Sequence, residues 1–237
     1  MSRRKVAAIL KEGPVGSEAD APVTMTVVVA TRNRGKLFEL RELLAGLPID
    51  LRSLDEVAPN LPSIVEDGAT FEENALIKAR TVAEATLLVT IADDSGLEVD
   101  ALGGRPGVRS ARFAGEAATD AENNAALLAA LEEVRSDKRT ARFRSVIAVV
   151  DPFSEGEALV VEGRCEGSIA IEPRGTGGFG YDPLFVLRDG DRSMAELSDA
   201  EKNQISHRGR AATQAREHLL ALCNARAREA EAILGGA

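Results

Sequence analysis

The chain has 237 residues, 44% of them hydrophobic, enough apolar content to fill the core of one large domain. Its 29 Lys and Arg against 38 Asp and Glu leave a formal charge of −9, which excludes a general electrostatic grip on nucleic acid or an anionic membrane. A polyanionic ligand therefore needs a local basic pocket or a metal.

The N-terminus, Met1-Ser-Arg-Arg-Lys5, resembles the start of a signal peptide, but Lys11 ends the apolar stretch Val6 to Leu10 too early for export. No apolar run approaches the ~18 residues needed to span a bilayer. Residues 1–24 read as a flexible polar extension, with Met25 an alternative start, and residues 25–237 as a single domain. From Thr26 the texture alternates between strand-like and helix-like segments, which predicts an α/β fold. Thr26 to Ala30 is a β-branched run suited to a strand buried on both faces, and Lys36 to Ala45 follows as a helix with Leu37, Leu40, Leu43 and Leu44 on one side. Capping-box spacing starts helices at Thr70, reaching about Glu84, and at Thr119, reaching about Val134. Strands are predicted over Leu87 to Ala92, Glu98 to Ala101, Ala141 to Val150, Ala158 to Glu162, Gly167 to Ile171 and Pro183 to Leu187. The strand-rich second half favours a mixed sheet. Capping-box spacing at Ser198 puts Lys202 in a short helix, and His207 to Leu234 reads as an amphipathic helix with Ala215, Leu219, Leu222 and Leu234 on its apolar face. Cys165 and Cys223 form no CxxC pair and read as reduced core thiols, consistent with a cytoplasmic protein.

Four segments carry chemistry. The turn Thr31-Arg32-Asn33-Arg34-Gly35-Lys36 joins a buried strand to a helix start, where free N–H groups and the helix dipole favour an anion, although it lacks the P-loop pattern. Asp93 and Asp94 end an apolar strand and precede a Ser95-Gly96 turn. Together with the acidic turn Glu66-Asp67-Gly68 they could hold a hard divalent ion such as magnesium. The loop from Gly175 to Pro183 places Phe179 and the only Tyr among four glycines in a chain with seven Phe and no Trp, so a Phe face is available to stack on a base. Lys202 to Gly209 gathers one of two histidines with Arg208, while the eleven-residue spacing of His207 and His218 argues against zinc.

In sequence order these segments are ATRNRGK (30–36), EDGATFEENALIKA (66–79), IADDSGLEVDALGGRPGVRSARFAG (91–115), GTGGFGYDP (175–183) and AELSDAEKNQISHRG (195–209). They resemble the inosine triphosphate pyrophosphatases, also described as XTP/dITP diphosphatases, from about Val27 to about Leu222. The resemblance implies a long twisted mixed sheet flanked by helices, two lobes with a central substrate cleft, and a homodimer. It implies magnesium-dependent hydrolysis of purine nucleoside triphosphates such as ITP, dITP and XTP to the monophosphate and pyrophosphate, cleansing the nucleotide pool. Thr31, Asn33 and Lys36 are implied to bind the phosphate tail, with Arg32, Arg34 and Gly35 in the same turn. Glu66 and Asp94 are implied to hold magnesium, with Asp94 the proton acceptor for water and Lys78 facing the phosphates. Ser95 lies at the substrate, Phe179 stacks on the base, and Gly180, Tyr181, Asp182, Lys202, His207 and Arg208 complete the pocket. A base carrying a C6 carbonyl would satisfy donors from Arg208 and the loop that adenine would leave unpaired. A non-catalytic nucleotide sensor has little need of the acid pair, and the SHRG and FGYD segments point away from septum-inhibitor-type pyrophosphatases.

Overall fold

The computed structural model of the chain describes residues 24–154 and 158–234. The extension expected over residues 1–24 lies, up to residue 23, outside the described residues. So does the side chain of Leu234. One six-stranded sheet organises the rest, in the order β2-β1-β3-β4-β5-β6: β1 (Met25–Val29), β2 (Ile49–Ser53), β3 (Val89–Val99), β4 (Thr140–Val150), β5 (Ala158–Ile169) and β6 (Phe185–Leu187). Strands β2, β1 and β3 run parallel, whereas β3 to β6 pair antiparallel, so the sheet is mixed as expected.

Alternation along the strands divides the core. Val27 and Val29 of β1, Ile91 of β3, and Ile147 and Val149 of β4 face helix α1 (Arg34–Leu43) and the C-terminal helix α6 (His207–Leu234). Val28, Ala92, Val146 and Ala148 face the opposite side, against Phe71, Ala75, Ala79 and Val82 of α3 (Phe71–Thr86). A strand covered on both faces needs apolar residues at consecutive positions, which is why β1 has no polar alternation. A third cluster, built on Leu97, Val99, Phe143 and Phe185, packs with α4 (Asp120–Ala130) at the far end of the sheet. In α6 the expected face is realised, with Ala215 and Leu219 buried and Leu222 half-buried.

The expected capping boxes form at Thr70 with Glu73, at Thr119 with Glu122, and at Ser198 with Glu201, the last opening α5 (Asp199–Ile205). Several boundaries differ. Helix α3 continues to Thr86 and closes on Leu87 at φ 55°, so β3 begins at Val89 rather than Leu87. Helix α4 stops at Ala130, where the Leu131 N–H turns back onto the last carbonyls, rather than near Val134. The predicted strands Leu87 to Ala92 and Glu98 to Ala101 are one strand, and Asp93-Asp94-Ser95-Gly96 lies in its middle rather than in a turn. The ten-residue register of β3 on β4 satisfies the backbone that a turn would otherwise have to serve. Likewise β5 is continuous through Gly163 to Glu166, because its polar side chains find partners across the sheet: Glu162 pairs with Arg144 at 3.0 Å and Glu166 with Arg142 at 3.3 Å. At Gly163 a side chain would collide with the His207 carbonyl, so the missing Cβ lets the start of α6 descend onto β5. The edge strand β2 and the short helix α2 (Leu54–Val57) have no clear sequence signal, since β2 is half-buried and carries Asp50 and Arg52.

Candidate active site

Period-two geometry sends the adjacent acids of β3 to opposite faces of the sheet. Asp93 points to the side of α1 and α6, where Lys36 Nζ lies 2.9 Å and Arg208 Nη2 3.1 Å from Oδ2. Ser95 donates to Oδ2 at 3.0 Å and the Ser145 hydroxyl to Oδ1. Burial pushes the Asp93 carboxyl up, but the Arg208 and Lys36 charges outweigh it and hold the group well below the ordinary Asp value. Asp93 is thus the ionised anchor for two cations.

Asp94 points to the other face, where Lys78 of α3 reaches Oδ1 at 2.7 Å. The same ammonium contacts Glu66 Oε2 at 2.8 Å and the Asp93 carbonyl at 3.0 Å. Asp94 Oδ2 is buried with no hydrogen-bond partner among the described residues. Burial raises the Asp94 pKa despite the Lys78 charge. In Glu66, whose side chain is 33% exposed, burial is outweighed by Lys78 and the pKa falls. The two carboxylates that share one lysine are therefore shifted in opposite directions.

Behind Asp93 lies a buried ionic chain. Glu39 of α1 accepts from Lys202 at 2.7 Å and from Arg208 Nη1, and Lys202 also reaches Asp182 at 2.6 Å. Asp182 accepts from the Phe179 N–H at 2.9 Å, which ties the glycine-rich loop to this chain. The loop is held further by Tyr181, whose hydroxyl donates to the Ser110 carbonyl at 2.8 Å, and by the Gly180 N–H, which donates to Asp120 at 2.7 Å. Phe179 is the surface these anchors present. Lys202 Nζ and the Arg208 guanidinium lie 4.9 and 5.7 Å from its ring centroid, and a Cβ on Gly35 would sit 2.6 Å from its Cδ1. His207 stacks on Phe143 at 4.7 Å with Nδ1 unpartnered, and burial together with the Arg208 charge drives its pKa well down, so the ring is neutral.

Every residue to which the family resemblance gives a substrate, metal or catalytic role, except Arg34 and Gly35, lines one cleft of about 410 Å³, whereas Asp67 and Asp93 of the two acidic segments do not. Arg34 is exposed, and Gly35 acts beneath Phe179. Arg32 lines the cleft but is engaged by Asp55 at 3.1 Å and by the Leu61 carbonyl at 2.6 Å. The Asn33 side chain caps α1 by accepting from the Lys36 N–H at 3.0 Å. Arg208, expected to present donors to a base, is only 2% exposed, with its terminal nitrogens taken by Glu39, Asp93 and Ser95. Its role is to join α1, β3 and α6. Asp93, offered from the sequence with Asp94 as a holder of a divalent ion, instead pairs with Lys36 and Arg208 on the opposite face of the sheet, and nothing local marks Glu39, which meets Arg208 across 169 positions. Arg112, which donates to the Glu66 carbonyl at 3.3 Å and lies with Nε 3.9 Å from Glu116, was missed for the same reason.

Among the described residues no group of three or more His, Cys, Asp and Glu converges as a metal cage. Magnesium does not require one, since it takes one or two protein carboxylates and completes its shell with water and phosphate oxygens. Glu66 and Asp94, with the orphaned Asp94 Oδ2, fit that demand.

The model of the Ham1 family matches residues 27–218 of the chain. A dITP/XTP pyrophosphatase of Geobacter sulfurreducens is 53% identical over 193 residues, which cover 81% of this chain and 96% of that protein. One from Bacillus licheniformis is 51% identical over 185 residues, covering 78% and 93% respectively. Among solved structures, a HAM1 protein from Coxiella burnetii superposes with a TM-score of 0.75 at 46% identity, covering 82% of this chain and 98% of the other. Ordered motifs, a mixed six-stranded sheet flanked by helices, and identity maintained across most of both partners lead to one conclusion: the chain belongs to the Ham1 family.

Proposed function

We propose that the chain hydrolyses purine nucleoside triphosphates of the dITP, ITP and XTP type to the monophosphate and pyrophosphate, with magnesium as cofactor. The observation that carries the reading is its 53% identity to a dITP/XTP pyrophosphatase over nearly the whole of that protein. The chemistry of the cleft suits it. Lys36 and the start of α1 receive the phosphate tail, because unpaired N–H groups and the dipole favour an anion there. Lys78 and Lys36 offset the negative charge that otherwise repels a nucleophile from a triphosphate. Asp94, with one carboxylate oxygen free and a raised pKa, is placed to take a proton from water. Magnesium held by Glu66 and Asp94 would supply Lewis-acid stabilisation of charge on the phosphates. Phe179 offers its face to the base, and the Glu39, Lys202 and Asp182 chain holds the loop that presents it.

A homodimer and a cytoplasmic location complete the reading. The motif resemblance supports the first, and a nucleotide-pool substrate together with two buried free thiols supports the second. No helix among the described residues is long and apolar enough to cross a membrane. The test is a panel of triphosphates incubated with and without magnesium, with products identified. Inosine and xanthine nucleotides should yield monophosphate and pyrophosphate in one step. ATP should be at least about a hundredfold poorer, a discrimination of about 3 kcal/mol in the transition state. Tight binding without product would make the protein a sensor, and stepwise release of phosphate through a diphosphate would place attack at the γ position.

A further inference from the structure

Three oxygens converge on the Lys78 ammonium: Asp94 Oδ1 at 2.7 Å, Glu66 Oε2 at 2.8 Å and the Asp93 carbonyl at 3.0 Å. An ammonium has three N–H donors, so all of them are satisfied in a side chain that is only 9% exposed. Two carboxylates and a backbone carbonyl are also the kind of oxygen set that a hard divalent cation takes. Lys78 therefore stands where the metal would draw its protein ligands. Lys36 crowds the same place, with Nζ 3.5 Å from the Asp93 carbonyl. A bare divalent ion approaching this point meets two positive side chains and carboxylates already neutralised in part.

Resting on the assignment of Glu66 and Asp94 as the magnesium ligands, we propose that Lys78 is a resident counter-cation that closes the divalent site of the nucleotide-free enzyme to free metal. Release of the carboxylates requires new acceptors for the ammonium, and the oxygens of a polyphosphate provide them. Metal and triphosphate then bind as a coupled pair, each raising the affinity for the other by the same factor. Such an arrangement holds the acid pair in place without metal and ties assembly of the hydrolytic centre to the arrival of substrate. It also gives Lys78 a role before any phosphate is bound.

Manganese titration of the nucleotide-free full chain at pH 8, followed by loss of the paramagnetic signal of free Mn2+, tests this without using activity. Lys78→Met should bind Mn2+ at least about tenfold more tightly than the wild type, Lys78→Arg should stay as closed as the wild type, and Lys78→Met/Asp94→Asn should lose the gain. Circular dichroism confirms that each variant is folded, with Lys78→Gln replacing Lys78→Met if the methionine is not tolerated. Equal affinity of the wild type and the neutral variant overturns the proposal, as does a gain that survives the Asp94 change. Should hydrolysis prove magnesium-dependent while Mn2+ affinity is indifferent to Lys78, the counter-cation role falls and the metal assignment stands. Hydrolysis that needs no divalent ion removes the metal assignment itself.

Discussion

Replacing Asp93 by Asn keeps the shape of the side chain and removes the charge that faces Lys36 and Arg208. Both cations contact Oδ2 directly, at 2.9 and 3.1 Å, and the carboxylate is fully enclosed. Removing one partner of a buried ion pair costs about 3–5 kcal/mol. The lower end applies here, because Arg208 keeps Glu39 and the asparagine oxygen still accepts one hydroxyl. For a chain of this size about 3 kcal/mol corresponds to a Tm lower by roughly 6–12 °C. The effect has a definite pH sign. Because the Asp93 pKa is depressed in the fold, its stabilisation is fully present above the ordinary value of 3.8 and is lost as pH falls below it. Urea and thermal unfolding of wild type and Asp93→Asn, repeated from pH 7 to pH 3, measures both features, and a cycle with Lys36→Met should show coupling of about 1–3 kcal/mol. A variant within 1 kcal/mol of wild type at pH 7, or a cycle with no coupling, would refute the placement of Asp93 as the anchor of the two cations.

Asp94→Asn should behave in the opposite way. Burial already disfavours its charge in the fold, so Tm at pH 7 should be unchanged or higher while turnover is abolished; a folded variant with wild-type rates removes Asp94 from the mechanism. In Gly35→Ala the new methyl meets the Phe179 ring, while alanine favours the helix by about 1 kcal/mol, so stability should stay within about 1 kcal/mol and KM should rise with kcat retained. An unchanged KM would show that the ring position does not govern base binding. Tyr181→Phe deletes the hydroxyl bond to the Ser110 carbonyl and should cost about 1–2 kcal/mol in denaturant unfolding, with no loss indicating that the loop is held elsewhere. Arg208→Ala, which empties a fully buried ionic junction, should lower stability by about 3 kcal/mol or more before any effect on selectivity is read, and an undiminished Tm would return Arg208 to the role of a base reader.

Local order was legible wherever one residue type answers one local demand. Thr70, Thr119 and Ser198 announce their helices because a hydroxyl and a glutamate three positions on satisfy the first free N–H groups, which needs no tertiary partner. The run Thr26 to Ala30 and the apolar face of the last helix were equally readable, and the ordered motifs were enough to identify the family. What the sequence could not determine depends on groups far apart along the chain. Asp93-Asp94-Ser95-Gly96 has the composition of a turn, yet it is a strand interior, because β4 pairs with its backbone and cations from three helices neutralise the acids. Glu39 and Arg112 carry no local mark of their partners, and the long reach of Arg208 made it look available when it is fully engaged. Turn propensity measures what a short peptide does in water. The preference is overturned when tertiary packing supplies a ladder for the backbone and counter-charges for the carboxylates, and only the folded chain brings those together.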